Sequence, residues 1–272
     1  MPWGRYLRVL AVLAVLGIAV FPLYWMFVTS LTTDRELFTS SPRLFPDFSL
    51  TGTYSEALTG PVPRWLLNSF LIAAGTCLVT LALAIPFAYG LSRFRFRGKV
   101  ALVIGLFVTQ MLPESLLVVP LFAIFRTFGL LDSLHGLVLV DTAFVLPIVV
   151  FVLKGAIDGI PREIEEAARV DGCRPLGILT RINVPLIAPS LAATAVIAFF
   201  SAWNEYVFAL TFIFDRGLQP ASVGLASFIG ELSTPTQTVM AVAVMYTLPA
   251  VAFYLIAQRY IVTGMTAGSV KG

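Results

Sequence analysis

The chain has 272 residues, of which 58% are apolar and only 12% charged, with a formal net charge of +3. Soluble domains carry about 25% charged residues, so this composition, with a mean hydropathy of +0.91, excludes a water-surfaced globular enzyme. The same apolar content excludes a disordered chain and leaves a polytopic membrane protein built as one bundle.

Six apolar stretches follow one another: residues 9–28, 66–89, 100–125, 136–153, 186–214 and 239–257. Each is close to or above the length a helix needs to cross a bilayer. None shows the alternation of an outer-membrane strand, and only a helix satisfies its own backbone in lipid. The pattern therefore predicts an all-α integral membrane protein, a single domain over residues 1–272 with six transmembrane helices. Arg5 and Arg8 precede the first stretch and no small-residue cleavage site follows it, so it reads as a retained helix. Every stretch contains proline (Pro22, Pro86, Pro113 and Pro120, Pro147, Pro189, Pro249), which kinks a helix by removing a backbone donor. Those kinks serve either as hinges or as static shape.

Orientation follows from the basic residues. With the N-terminus inside, thirteen Lys and Arg fall on the inner side and five (Arg35, Arg43, Arg64, Arg126, Arg216) on the outer, which accounts for all eighteen. Both termini are then expected in the cytoplasm. The first outer loop, residues 29–65, carries Pro42, Pro46, Pro61 and Pro63, as an ordered cap does. The last outer loop, residues 215–238, either reaches toward a partner or simply connects. Arg93-Phe94-Arg95-Phe96-Arg97-Gly98-Lys99 alternates basic and aromatic residues beside a span. That position favours lipid anchoring over nucleic-acid binding. Cys77 lies in an apolar stretch and Cys173 in a polar loop, so both read as free thiols. With one histidine, His135, a protein-built zinc site is not expected.

The loop between the fourth and fifth stretches, residues 156–185, carries the most information. Pro161 suits a first helical position, and acids follow it. Ile164, Ala167, Ala168 and Asp171 share a helical face. Gly172 can end the helix in a left-handed conformation. Pro175 can start a second helix with Leu176, Leu179 and Ile182 on its stripe, and Pro185 then opens the fifth span. Such a helix–turn–helix either transmits force from a cytoplasmic partner or is a plain amphipathic connector. Arg162, Glu163, Glu165, Glu166 and Arg169 supply charge for a reversible interface.

Glu166-Ala167-Ala168, then Gly172, Ile182 and Pro185, resembles the signature of bacterial ABC importer permeases, with Val184 where leucine is usual. At average residue frequencies those six matches arise by chance on the order of 10⁻⁵ per chain. Asn68-Ser69, Met111-Leu112-Pro113, Pro120-Leu121-Phe122, Ala202-Trp203-Asn204-Glu205-Tyr206 and the closing Gly264-Met265-Thr266-Ala267-Gly268-Ser269-Val270-Lys271-Gly272 are similar to the carbohydrate branch of that family. The resemblance implies a type I importer permease fold with cytoplasmic coupling helices, in a bacterial cytoplasmic membrane. It implies an ABC ATPase dimer docking at Glu166, Ala167, Ala168, Asp171 and Gly172, a second homologous permease, an extracytoplasmic binding protein and a sugar-type substrate. No phosphate-cradling GxxxxGK[ST] exists here; the only Gly-Lys pair is Gly98-Lys99. ATP and Mg therefore belong to the partner ATPase, and this chain is expected to hold no cofactor and to catalyse nothing itself.

Three acids, Glu114, Asp141 and Glu205, sit inside apolar stretches, where a lone ion is costly. With Asn204, and with Trp203 as a stacking face, Glu114 and Glu205 are candidates to line a translocation path. The competing expectation is bonding between helices or subunits. A rival function is a self-sufficient secondary transporter using the three acids as an ion relay. An intramembrane enzyme is disfavoured by the lack of a nucleophile set.

Overall fold

The computed structural model describes residues 3–37, 39, 43–230 and 234–268. Pro42 and the last four residues of the closing motif, 269–272, lie outside the described residues. The helices are α1 (Trp3–Ser30), α2 (Asp34–Leu37), α3 (Gly52–Thr59), α4 (Val62–Arg93), α5 (Lys99–Thr109), α6 (Glu114–Thr127) and α7 (Leu134–Asp158). There follow α8 (Arg162–Val170), α9 (Pro175–Ile178), α10 (Val184–Leu186), α11 (Ala188–Trp203), α12 (Val207–Phe212), α13 (Ala221–Gly230) and α14 (Thr236–Gly268). The described residues contain no strand. Four helices, α1, α4, α7 and α14, are long and apolar enough to cross a membrane, and the number reaches six when two bent helix pairs are each taken as one span.

The expected third span is not one rod. α5 and α6 meet at 104°, and the break falls at Met111-Leu112-Pro113. Pro113 has no N–H to return to the carbonyl of Thr109, the last residue of α5, and it takes an extended conformation (φ −60, ψ 129). Glu114 therefore opens α6 and does not stand at mid-span. The fifth stretch differs as well. Residues 175–186 meet α11 at 82°, so the span opens at Ala188 beyond the bend, not at Pro185. It then stops at Trp203, and Glu205 lies in a gap before α12.

The chain divides into two compact units. One comprises residues 1–64 and 224–249. Here polar contacts hold the described part of the first loop within the unit. The Ser30 hydroxyl lies 2.6 Å from that of Tyr54, and the Tyr24 hydroxyl donates to the Leu44 carbonyl at 2.6 Å. Asp34 accepts from the Thr236 N–H at 3.0 Å. Arg43 pairs with Glu36 and Asp47. The Ser49 hydroxyl and N–H, with Arg43, hold the Asp47 carboxyl below the usual carboxylate range.

The other unit comprises residues 65–223 and 250–272. Its core joins α4 (Ala84, Ala88, Leu91), α7 (Val145, Val149, Leu153, Ile157), the elbow at Leu179 and Ile187, and Ala198 of α11. Small residues let α4 and α7 approach closely: a Cβ on Gly75 would stand 2.9 Å from the Val138 side chain. At one end of this unit Asn68 donates to the carbonyls of Gly217 (3.0 Å) and Gln219 (2.9 Å), and Ser69 accepts from the Ala221 N–H (2.8 Å). The Asn68-Ser69 pair is thus an anchor for the chain entering α13.

Candidate functional site: an exposed elbow and an acidic cavity

Two sets of expected site residues fall in the second unit, at separate places. The first is the elbow around α8. Pro161 precedes the helix as its N-cap, one residue earlier than expected. Gly172 ends it with φ +82, donating to the Arg169 carbonyl at 3.0 Å while Cys173 donates to that of Ala168 at 2.9 Å. This pair of crossed bonds is the left-handed glycine stop. Pro175 then stands in the first turn of α9.

The faces of α8 differ from expectation by a small rotation. Ile164, Ala167 and Asp171 are exposed, as are Glu166 and Gly172, whereas Ala168 is buried with Glu165. The second stripe is shifted too: Leu176 is exposed while Ile178 and Leu179 are buried. The inward side of α9 is therefore Ile178 followed by Leu179, and a π-helical turn over Leu179–Asn183 re-aims the side chains beyond it.

Glu165, expected among the solvent-facing charges, is only 2% exposed. Its Oε1 accepts from Arg93 Nε at 2.6 Å and from the Asn183 side-chain amide at 3.1 Å. The same guanidinium donates from Nη2 to the Ile160 carbonyl at 3.0 Å. Beside it the Ser92 hydroxyl donates to Asp158, which also pairs with Lys154. The last two residues of α4 are therefore tied to the end of α7 and to α8. The basic–aromatic alternation over Arg93–Lys99 favours lipid anchoring, but Arg93 turns inward to Glu165. Its partner lies 72 residues away, beyond any local pattern.

The second set lines a cavity of about 190 Å³ bounded by Glu114, Asp141, Ser201, Asn204 and Glu205, with Phe144, Tyr206, Val207 and Phe208. The three intramembrane acids are thus brought together with Asn204. They do not converge on a point a metal ion can occupy: among the described residues no three His, Cys, Asp or Glu form such a group. Their circumstances differ. Both oxygens of Glu205 are used, accepting from the N–H groups of Phe208 (2.6 Å) and Ala209 (2.9 Å). These are donors of the first turn of α12, which no earlier carbonyl can serve. Asp141 is 5% exposed, and neither of its oxygens meets a donor among the described residues.

Trp203 is a correction. It does not line the cavity and offers no stacking face there. Its ring is 1% exposed and stacks on Phe199 at 5.6 Å, which in turn stacks on Phe253 at 3.9 Å. A large apolar ring on the inner face of a packed helix gains more from this burial than from facing a polar cavity.

Residues 80–267 match the family described as the binding-protein-dependent transport system inner membrane component. The chain is 35% identical, over 272 aligned residues, to the trehalose/maltose transport system permease protein MalG of Thermococcus litoralis, an alignment that covers 98% of this chain and 97% of that one. It is 33% identical over 270 residues to the sulfoquinovosyl glycerol transport system permease protein SmoH of Agrobacterium fabrum, covering 99% and 95%. Its fold is also that of a chain from the crystal structure of a bacterial ABC transporter involved in the import of the acidic polysaccharide alginate, with a TM-score of 0.81, 24% identity, and 95% and 96% of the two chains covered. A helical membrane chain with this elbow and this match over most of its length belongs to the binding-protein-dependent transport system inner membrane component family.

Proposed function

We propose that this chain is one permease subunit of an ATP-driven importer for a sugar or sugar derivative, working by alternating access. The α8 elbow is its contact with an ABC ATPase dimer, which holds the ATP and Mg. A second, homologous permease completes the pore, and an extracytoplasmic binding protein delivers the substrate. Thirteen of eighteen basic side chains then lie on the side of α8 and both termini, which are cytoplasmic. The observation that carries the reading is the presentation of α8: a rigid helix with a left-handed stop, exposing Glu166, Ala167, Asp171 and Gly172 while Ala168 seats it on the chain's own core. An amphipathic connector lying on lipid would expose an unbroken apolar stripe; here the exposed Ile164 and Val170 are interspersed with acids, alanine and glycine.

The substrate class follows from the relatives, which carry glycosides, and accords with the acidic cavity. Carboxylates and the Asn204 amide suit hydroxyl-bearing ligands. The cavity's 190 Å³ is below the roughly 300–1,000 Å³ of complete ligand pockets, so this chain supplies part of a path shared with the second permease. Glu114, Asn204 and Glu205 line that part.

Glu166→Lys tests the elbow. It reverses an exposed charge, so insertion and thermal stability stay as they are while co-purification with the ATPase falls. Normal association and normal uptake in this variant count against the docking site. Gly172→Val strains the stop, because a β-branched residue resists positive φ at about 1–2 kcal/mol or more, and reduces transport at constant expression. For the substrate, the reconstituted complex is offered maltose, trehalose and sulfoquinovosyl glycerol in turn, and stimulation of ATP hydrolysis identifies the class. Stimulation by none of these, with stimulation by an amino acid or a metal ion instead, removes the sugar assignment.

A further inference from the structure

Movement of the elbow has to reach the membrane helices through particular contacts, and one buried carboxylate joins two of the segments involved. Glu165 sits on the inward face of α8, paired with Arg93 at the end of α4 and with Asn183 in the π-helical turn that leads to α11. Arg93 makes a second bond to the Ile160 carbonyl, at the α7–α8 junction. Both side chains are nearly sealed, at 6% and 2% exposure. A second cation, Arg169, lies at the edge of contact with the other carboxylate oxygen at 4.0 Å and is exposed. A pair held inside, whose guanidinium is also anchored to a backbone carbonyl, resists shear as a single surface ion pair does not.

We propose that Arg93, Glu165 and Asn183 form a latch that makes α8, the end of α4 and the turn before α11 move as one body, so that Arg93 is a positioning residue for transport. Nucleotide-driven displacement of α8 is then delivered to α4, and through the α4–α7 core to the cavity, and not to the fifth span alone. This rests on the reading of α8 as the ATPase contact. Lysine cannot replace the arginine: its single ammonium on a flexible stem cannot reach Glu165 and the Ile160 carbonyl in the fixed fork geometry of a guanidinium.

The test uses the complete complex, with Cys77 and Cys173 replaced by serine and spin labels at Val170→Cys on α8 and Arg95→Cys just beyond α4. Both positions are exposed. Co-purification of the ATPase with the labelled permease shows that docking survives. In the otherwise native chain, the distance between labels shifts by less than about 2 Å, the scale of small helix shifts, between the nucleotide-free and ATP-bound states. In Arg93→Lys it shifts by more than that on ATP binding, because α8 moves and α4 no longer follows. A purely structural staple lowers the melting temperature of Arg93→Lys without making the distance depend on ATP, and that result overturns the latch. A nucleotide-dependent distance in the native chain overturns it directly, and needs no variant to fold. A label on α8 whose mobility ignores the ATPase overturns the docking reading and the latch with it, an outcome distinct from the other two because no nucleotide is needed to see it.

Discussion

At the α8 end of the α4–α7–α11 core, Glu165 meets an arginine and an amide; in the cavity further along α7, Asp141 is also buried and its oxygens meet no donor among the described residues. Both are acids inside a membrane protein, and both carry the desolvation cost of burial. The first has that cost offset within the chain. The second does not among the described residues, which leaves its offset to a partner chain, a ligand or a proton. Glu205 stands between them: it shares the cavity of Asp141 yet is satisfied locally, by two N–H groups of α12. The difference separates charges that hold the chain's shape from charges that the chain leaves for something else. It also argues against the ion-relay alternative, since a relay needs its carboxylates free in turn, and Glu205 is committed to a helix end.

The largest expected effect breaks the comparison on the paired side. Arg93→Ala leaves Glu165 buried with only an amide, and removing one partner of a buried ion pair costs about 3–5 kcal/mol. Thermal unfolding of the assembled complex in detergent measures it. A cost under about 1 kcal/mol, the range of a surface pair, means that water or Arg169 reaches Glu165, and the contrast with the cavity disappears.

Glu205→Gln is the intermediate case. Glutamine keeps one acceptor oxygen, so one of the two N–H groups at Phe208 and Ala209 loses its partner, and the loss of charge weakens the match to the helix dipole. The expected cost is about 0.5–2 kcal/mol of local stability, read as faster amide hydrogen exchange at Phe208 or Ala209. Unchanged exchange at both positions would assign Glu205 to the path and not to the cap.

How much of this could be read beforehand depends on the range over which the signals act. The α8 elbow was legible because its signals are local: Gly172 and Pro175 act on their own backbone, and Glu166-Ala167-Ala168 is contiguous. The clustering of Glu114, Asp141 and Glu205 was half legible, since an acid in an apolar stretch must face something polar, though which acids meet depends on helix packing. The breaks at Pro113 and Ile187 were not distinguishable among prolines that occur in every span. The gap at Glu205 carries no proline at all; its mark is the carboxylate that caps α12. Arg93 was hidden by context, because a basic–aromatic run beside a span fits lipid anchoring and nothing nearby names a partner. Trp203 misled for the opposite reason: its neighbours Asn204 and Glu205 do face the cavity, but at a helix end the next residue back points into the core.

Asp141→Asn is the smallest expected effect on stability and the sharpest on interpretation. No bond seen among the described residues is lost, and a carboxyl with no donor is exchanged for a neutral amide of the same shape, which removes any cost of burying a charge there. The melting midpoint therefore stays within about 0.5 kcal/mol of the original or rises. If the acid is reserved for substrate or for the second permease, the same variant loses uptake of whichever glycoside stimulates ATP hydrolysis, or co-purifies less second permease, while remaining as stable as before. Those two losses identify which of the two it serves. A drop in midpoint comparable to that of Arg93→Ala would show that Asp141 has a partner within the folded chain after all. The unpaired acid and the paired one would then be doing the same work.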